Sequence, residues 1–109
     1  MKWYKNLYMG DNAKKEKYKV FGHIVKERFQ KDTFLIILSR SSGNLLEIVN
    51  SNFIFQPHFK KKSVKSKIYV VGLAKGREEA LELVRVIIDD VYQNTGAFNI
   101  REYLHFGNR

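Results

Sequence analysis

Apolar and polar positions follow the same plan three times along the chain. From Trp3 to Met9 a short aromatic and apolar run precedes Gly10-Asp11-Asn12, and a helical pattern then runs from Ala13 to about Phe29. From Thr33 to Ser39 a near-continuous apolar run rich in strand formers leads through Arg40-Ser41-Ser42-Gly43-Asn44 to a helical start at Leu45. From Lys67 to Gly72 a third strand leads through Leu73-Ala74-Lys75-Gly76 into a long amphipathic helix from Arg77 to about Asn94. Strands that are apolar on both faces need helices on both faces, and connections of more than about two dozen residues permit parallel, right-handed crossovers. The pattern therefore predicts an α/β fold, β-α-β-α-β-α, on a small three-stranded parallel sheet. The strands at 34–38 and 68–72 are expected to be adjacent and parallel. Lys5 and Asn6 interrupt the first strand, so a helical or irregular arm fits residues 2–9 as well.

The first helix places Tyr18, Phe21, Val25 and Phe29 on one apolar stripe, with Lys15, Lys19, His23 and Lys26 on another face. Gly22 within it costs about 1 kcal/mol relative to Ala and marks a bend or a close approach. In the last long helix, Glu78 and Glu79 suit the positive N-terminal end, while Ala80, Leu81, Val84, Ile87, Ile88 and Val91 form a broad core stripe. Leu83 and Val86 widen that stripe beyond what one sheet face needs, which calls for a cover: a second copy in a homodimer, or the C-terminal segment. Gly96 is placed to end the helix in the left-handed conformation, and Asn99 with Glu102 signals a short terminal helix over 100–106. Between Asn50 and Lys67, Phe53-Ile54-Phe55 fits an edge strand or a helical turn, Pro57 prevents a regular helix, and Lys60 to Lys67 is a basic loop.

The 109 residues suffice for one domain spanning 1–109, and 44% hydrophobic with 14% aromatic content supports a packed core. The absence of cysteine excludes disulfides, thiolate metal sites and a cysteine nucleophile. The longest apolar run is Phe34 to Leu38, and no N-terminal stretch has the makeup of a secretion signal, so the expectation is a cytoplasmic protein with no membrane span. The net charge of +9 is unevenly spread: residues 1–67 hold 15 Lys or Arg against 5 Asp or Glu, and residues 68–109 hold 5 against 6. That asymmetry points to an anionic partner, although a lysine-, asparagine- and isoleucine-rich composition also follows from AU-rich codons.

In a parallel sheet the three turns would converge at the carboxyl edge, where open α/β sheets bind ligands. The candidate anion site then comprises Asp11, Asn12, Ser39, Arg40, Ser41, Ser42, Gly72, Lys75 and Gly76. Arg40 and Lys75 supply cations, the serines donors, and the glycines close backbone approach, a set suited to a phosphate-bearing small molecule such as a nucleotide. The same residues are ordinary helix caps and turn formers, and Gly72-x-x-Lys75-Gly76 is neither a Walker A loop nor a dinucleotide fingerprint.

Catalytic signatures are lacking. His23, His58 and His105 are far apart without carboxylates at ligand spacing, no Ser lies in a Gly-x-Ser-x-Gly elbow, and Asp89 and Asp90 suit solvation. No cofactor is implied. The alternative reading is a nucleic-acid-binding accessory protein using Lys15, Lys19, Lys26, Lys60, Lys61, Lys62 and Lys65, with Trp3, Tyr4, Tyr8 and Phe59 as stacking rings. A third is a protein-interaction subunit using the last long helix.

Trp3-Tyr-Lys-Asn-Leu-Tyr8, Asn44-Leu-Leu-Glu-Ile48 and the stretch from Gly72-Leu-Ala-Lys75-Gly76 to Val84 resemble blocks shared by a set of small uncharacterised bacterial proteins. The resemblance runs over most of the chain. It implies a self-contained bacterial domain and carries over no activity, cofactor or site residue.

Overall fold

Strand-forming residues buried on both faces lie at the centre of a four-stranded mixed sheet. The computed structural model describes residues 2–26, 31–38, 46–55, 68–97 and 99–104. Its elements in chain order are β1 (Lys2–Met9), α1 (Asp11–Lys15), α2 (Lys17–Val25), β2 (Thr33–Leu38), β3 (Leu46–Asn50), a 3-10 turn (Ser51–Phe55), β4 (Tyr69–Lys75), α3 (Arg77–Thr95) and α4 (Ile100–Tyr103). The strand order is β1-β4-β2-β3.

β1 runs parallel to β4, but β2 runs antiparallel to both β4 and β3. The adjacency of the 34–38 and 68–72 strands is as the pattern predicts; their parallel direction is not. The error traces to the segment read as a helix from Leu45, which is instead β3. Ile48 and Val49 are β-branched, and the strand alternates, with Leu46 and Ile48 packed toward α3 and Val49 toward α1 and α2. A helix there would have supplied the crossover that a parallel pair requires. The stretch from Leu38 to Leu46 is too short for one, so the chain returns beside β2 in the opposite direction.

The two-faced burial of β2 does produce a helix layer on each side. Leu35 and Ile37 join Ala13, Val20, Ile24, Ile68, Val70 and Leu73 under α1 and α2. Ile36 and Leu38 join Val71, Ala74, Ala80, Leu83, Ile87 and Val91 under α3, with Ile100 and Leu104 closing that side. α4 thus covers part of α3, as one reading of its wide stripe requires. Leu81 departs from the expected core stripe and is 52% exposed.

One other expectation is corrected. The buried stripe of α1 and α2 is Ala13, Val20 and Ile24 with Phe21 half-buried, whereas Tyr18 is 83% exposed. The helical stretch breaks at Glu16, whose φ of −115° and ψ of 25° are not helical, and in the helix that follows the face turned to the sheet is centred on Val20 and Ile24, more than about 100° around from Tyr18. Phe29 lies outside the described residues. In β1, Trp3 pairs with Val70 and Tyr8 with Gly72, so the strand buckles between them and holds Lys5 and Asn6 exposed. This accommodates the two polar residues that interrupt the apolar run. Gly96 ends α3 at φ 72°, with its N–H bonded to the Tyr92 carbonyl at 2.8 Å, as the sequence predicts.

Candidate functional site

Parallel pairing brings the C-terminal ends of β1 and β4 to the same sheet edge, so the turn at Gly10-Asp11-Asn12 and the turn at Lys75-Gly76 converge there. The C-terminal end of β2 does not join them. Thr33 faces Lys75 while Ile37 faces Val70, which puts Leu38 at the opposite edge. The expected convergence of three turns is therefore reduced to two. Ser39, Arg40, Ser41 and Ser42 lie outside the described residues.

At the shared edge the structure holds a carboxylate of its own. Glu79 accepts hydrogen bonds from the backbone N–H groups of Asn12 (2.8 Å), Ala13 (3.3 Å) and Lys75 (2.7 Å). The amides at this edge are aimed at an anion, and that anion is the chain's own Glu79. Glu79 reaches from the first turn of α3 to the first turn of α1, where its charge also favours the positive helix end. Gly10, buried beneath it, donates its N–H to the Leu73 carbonyl at 3.0 Å and leaves the space that the Glu79 side chain fills.

The other expected contributors are also engaged. The Lys75 ammonium is 2.9 Å from Glu16 Oε2 and 3.9 Å from Asp32 Oδ1. The hydrogen bond to Glu16 holds the Lys75 pKa above its usual value and the Glu16 carboxyl below its own. The Gly76 N–H donates to the Asp32 carbonyl at 2.7 Å, and its φ of 90° is what requires glycine. Gly72 serves packing rather than ligand approach: a β-carbon there would lie 3.0 Å from Ile36 Cγ1 and 3.1 Å from Leu83 Cδ2. The Asp11 and Asn12 side chains are exposed, and the first turn of α1 is capped by Glu79 rather than by a side chain of its own segment.

On the outer face of α1 and α2 the arrangement is open. Lys14, Lys15, Lys17, Lys19 and Lys26 are exposed, as is Tyr18, and the Lys17 ammonium sits 5.1 Å from the Tyr18 ring centroid. Gly22, one turn beyond Tyr18, faces open space, since a β-carbon there would meet nothing within 4 Å. Lys19 makes a weak ion pair at 3.9 Å with Glu16, the carboxylate that also bonds Lys75. Three of the rings expected to stack on a ligand, Trp3, Tyr4 and Tyr8, are half-buried and pack on other rings of the chain. Trp3 packs on Phe21 at 5.4 Å between centroids, and Tyr4 stacks on Tyr8 at 6.0 Å. Phe59, Lys60, Lys61, Lys62 and Lys65 lie outside the described residues.

A further polar contact is invisible in the sequence. The Tyr8 hydroxyl donates to Asp90 Oδ2, and Asn94 Nδ2 donates to Asp90 Oδ1 at 3.2 Å, so Asp90 is a tether between α3 and β1 rather than a solvated charge. Burial first, and then the bond to Asp90, raise the Tyr8 pKa well above its usual value. Burial, with the Asp90 charge, moves Tyr103 in the same direction. Nothing in an isolated sequence links residues 82 positions apart.

No group of three or more His, Cys, Asp or Glu among the described residues is arranged to hold a metal, and none of the described helices is long and apolar enough to cross a membrane. No protein-family model, curated protein or solved structure matches the chain.

Proposed function

We propose that the protein is a non-catalytic binding domain for single-stranded nucleic acid, engaged through the outer face of α1 and α2. One observation carries this reading: Tyr18 is 83% exposed with the Lys17 ammonium 5.1 Å from its ring centroid, on helices whose Lys14, Lys15 and Lys19 are also exposed. A large ring held in solvent among cations suits a stacking platform beside a phosphate track, because every base offers a π-face and every nucleotide a charge. Lys15, Lys19 and Lys26 continue the track past Gly22, whose bare backbone leaves room for a base lying against Tyr18. The net charge of +9 adds a long-range attraction to the same polymer.

A phosphate-bearing small molecule at the carboxyl edge is the weaker reading. It would have to displace Glu79 from three amides and compete with Glu16 for Lys75.

Fluorescence anisotropy of a labelled oligouridine titrated with the protein at several salt concentrations tests the proposal. Tyr18→Ala is expected to weaken binding by about 1–3 kcal/mol, roughly five- to 150-fold, with Tyr18→Phe close to wild type. Replacing Lys15, Lys19 and Lys26 together by Ala is expected to reduce the salt slope by about 2, at roughly 0.7 per lost phosphate contact. Equal affinity for the wild type and Tyr18→Ala would remove the basis of the reading.

A further inference from the structure

The outward side of α3 carries a regular seam. Leu81, Arg85, Ile88 and Tyr92 follow one another at spacings of four, three and four residues, the period with which two helices stay in contact along their length. Leu81 and Tyr92 at the two ends are 52% and 47% exposed. Between them, Arg85, Ile88, Asp89 and Tyr92 line a depression of about 310 Å³. The face that α3 turns to the sheet is a different one, made of Ala80, Leu83, Ile87 and Val91. α4 closes the core beneath α3 but leaves Leu81 and Tyr92 exposed.

We infer that this seam is a homodimer interface in which α3 packs antiparallel against α3 of a second copy. The charge pattern selects that occupant. The depression carries both signs within about one turn, Arg85 in the seam and Asp89 beside it, with Ile88 and Tyr92 as its apolar lining. A uniformly acidic or basic partner would leave one of these charges opposed. The pattern matches its own inversion. A two-fold axis between Arg85 and Ile88 sets Leu81 against Tyr92 of the second copy. It also lays the Arg85 stem over Ile88 of that copy, with the guanidinium toward its Asp89. Each contact is made twice, as a closed two-fold interface requires. Within its own chain Arg85 is bonded to Glu82 on the exposed helix surface, at 3.2 Å from Nε to either carboxylate oxygen, so the guanidinium is already held near the seam. This inference does not depend on nucleic-acid binding.

Sedimentation equilibrium of the full chain tests it, with circular dichroism of each variant as the check on folding. The wild type is expected at twice its 12.9 kDa mass. Leu81→Glu and Tyr92→Glu are expected to sediment as monomers with unchanged helical spectra. Arg85→Asp and Asp89→Arg alone are each expected to weaken association by about tenfold or more, because each sets like charges against one another across the axis. The double exchange Arg85→Asp with Asp89→Arg is expected to restore it. A wild type that remains monomeric to its solubility limit overturns the inference. So does a dimer that survives Leu81→Glu, or a double exchange that fails to restore association. A Leu81→Glu chain that loses its helical spectrum would place Leu81 in the monomer core and overturn it equally.

Discussion

Gly10 and Glu79 occupy one space: a β-carbon on Gly10 would fall inside the van der Waals envelope of the Glu79 Cγ and Cδ atoms. The backbone of Gly10, at φ −67° and ψ 161°, is one that any residue can adopt. Glycine is therefore required there by a side chain arriving from a distant helix, and not by its own torsions. The glutamate in turn satisfies amides at Asn12, Ala13 and Lys75. The two residues form a single device that fixes α1, α3 and the end of β4 to one another.

Their interdependence is measurable as a double-mutant cycle. Glu79→Ala is expected to cost about 1–3 kcal/mol, the range for leaving backbone donors without their charged acceptor. Gly10→Ala is expected to cost a similar amount, because it expels the same carboxylate. Combined, the two substitutions should cost little more than either alone, since the second removes nothing that the first has left in place. Chemical denaturation of the four proteins gives the coupling. Simple additivity would show that the carboxylate and Gly10 act separately.

Gly22 and Gly72 are expected to respond oppositely to alanine. At Gly22 the added methyl meets open space within a helix, so the substitution should stabilise by about 0.5–1 kcal/mol through helix propensity alone. At Gly72 the methyl must push against Ile36 and Leu83, both packed in the core beneath α3, and a loss of about 1–3 kcal/mol is expected. Thermal melts of the two variants check the signs.

Along α3, truncation to alanine should follow a steep gradient around the helix. Ile87 is fully buried, so Ile87→Ala is expected to cost about 2–5 kcal/mol. Val84 is half-buried and should cost about 1 kcal/mol, while Leu81→Ala should fall within about half a kilocalorie of wild type when measured on dilute protein. Denaturation midpoints place the three in order. A large loss at Leu81 in dilute protein would contradict its exposure.

The Tyr8 hydroxyl gives the alkaline side of the stability curve its shape. Its folded pKa is raised above the ordinary value of 10.0, so the folded state holds the proton to higher pH than the unfolded state does. The stabilisation from the neutral hydroxyl bonded to Asp90 is fully present below pH 10 and declines as pH rises above it. Tyr8→Phe is expected to be about 1–2 kcal/mol less stable than wild type at neutral pH. The gap between the two proteins should close above about pH 10. Urea unfolding at a series of pH values up to about 11 reads both effects, and a constant gap would mean that the hydroxyl titrates alike in both states.

How much of the fold was legible in the sequence was set by local pattern. The unbroken Phe-Leu-Ile-Ile-Leu run of 34–38 signals burial on both faces, and both faces are buried, because that property depends on each residue alone. Strand direction depends instead on the nature of the next element along the chain. Leu46 to Asn50 is too short for its period to separate helix from strand, and choosing helix inverted β2. Tyr18 shares a helical face with Phe21 and Val25, but the helix carries two apolar stripes and buries the one centred on Val20 and Ile24, a choice that only packing against the sheet decides. Lys75 and Gly76 were recognised as an edge with amides and a cation. The carboxylates that complete it come from Glu16 and Glu79, at the starts of two different helices that only the folded chain brings together.

Because Lys2 and Trp3 pair with Tyr69 and Val70, β1 is made before β2 and β3 yet finds its neighbour only after both. The β2–β3 hairpin closes across a few residues and can form early, whereas β1 must wait until β4 has been synthesised. Until then Trp3, Leu7 and Met9 have no sheet to join, and the Glu79 bridge that anchors α1 does not yet exist. The nascent chain therefore carries β1 as an unpaired apolar strand until β4 is made. The exposed Lys5 and Asn6 interrupt that strand in sequence as well as in the sheet, and polar interruptions of this kind discourage strand-to-strand association between unfinished chains.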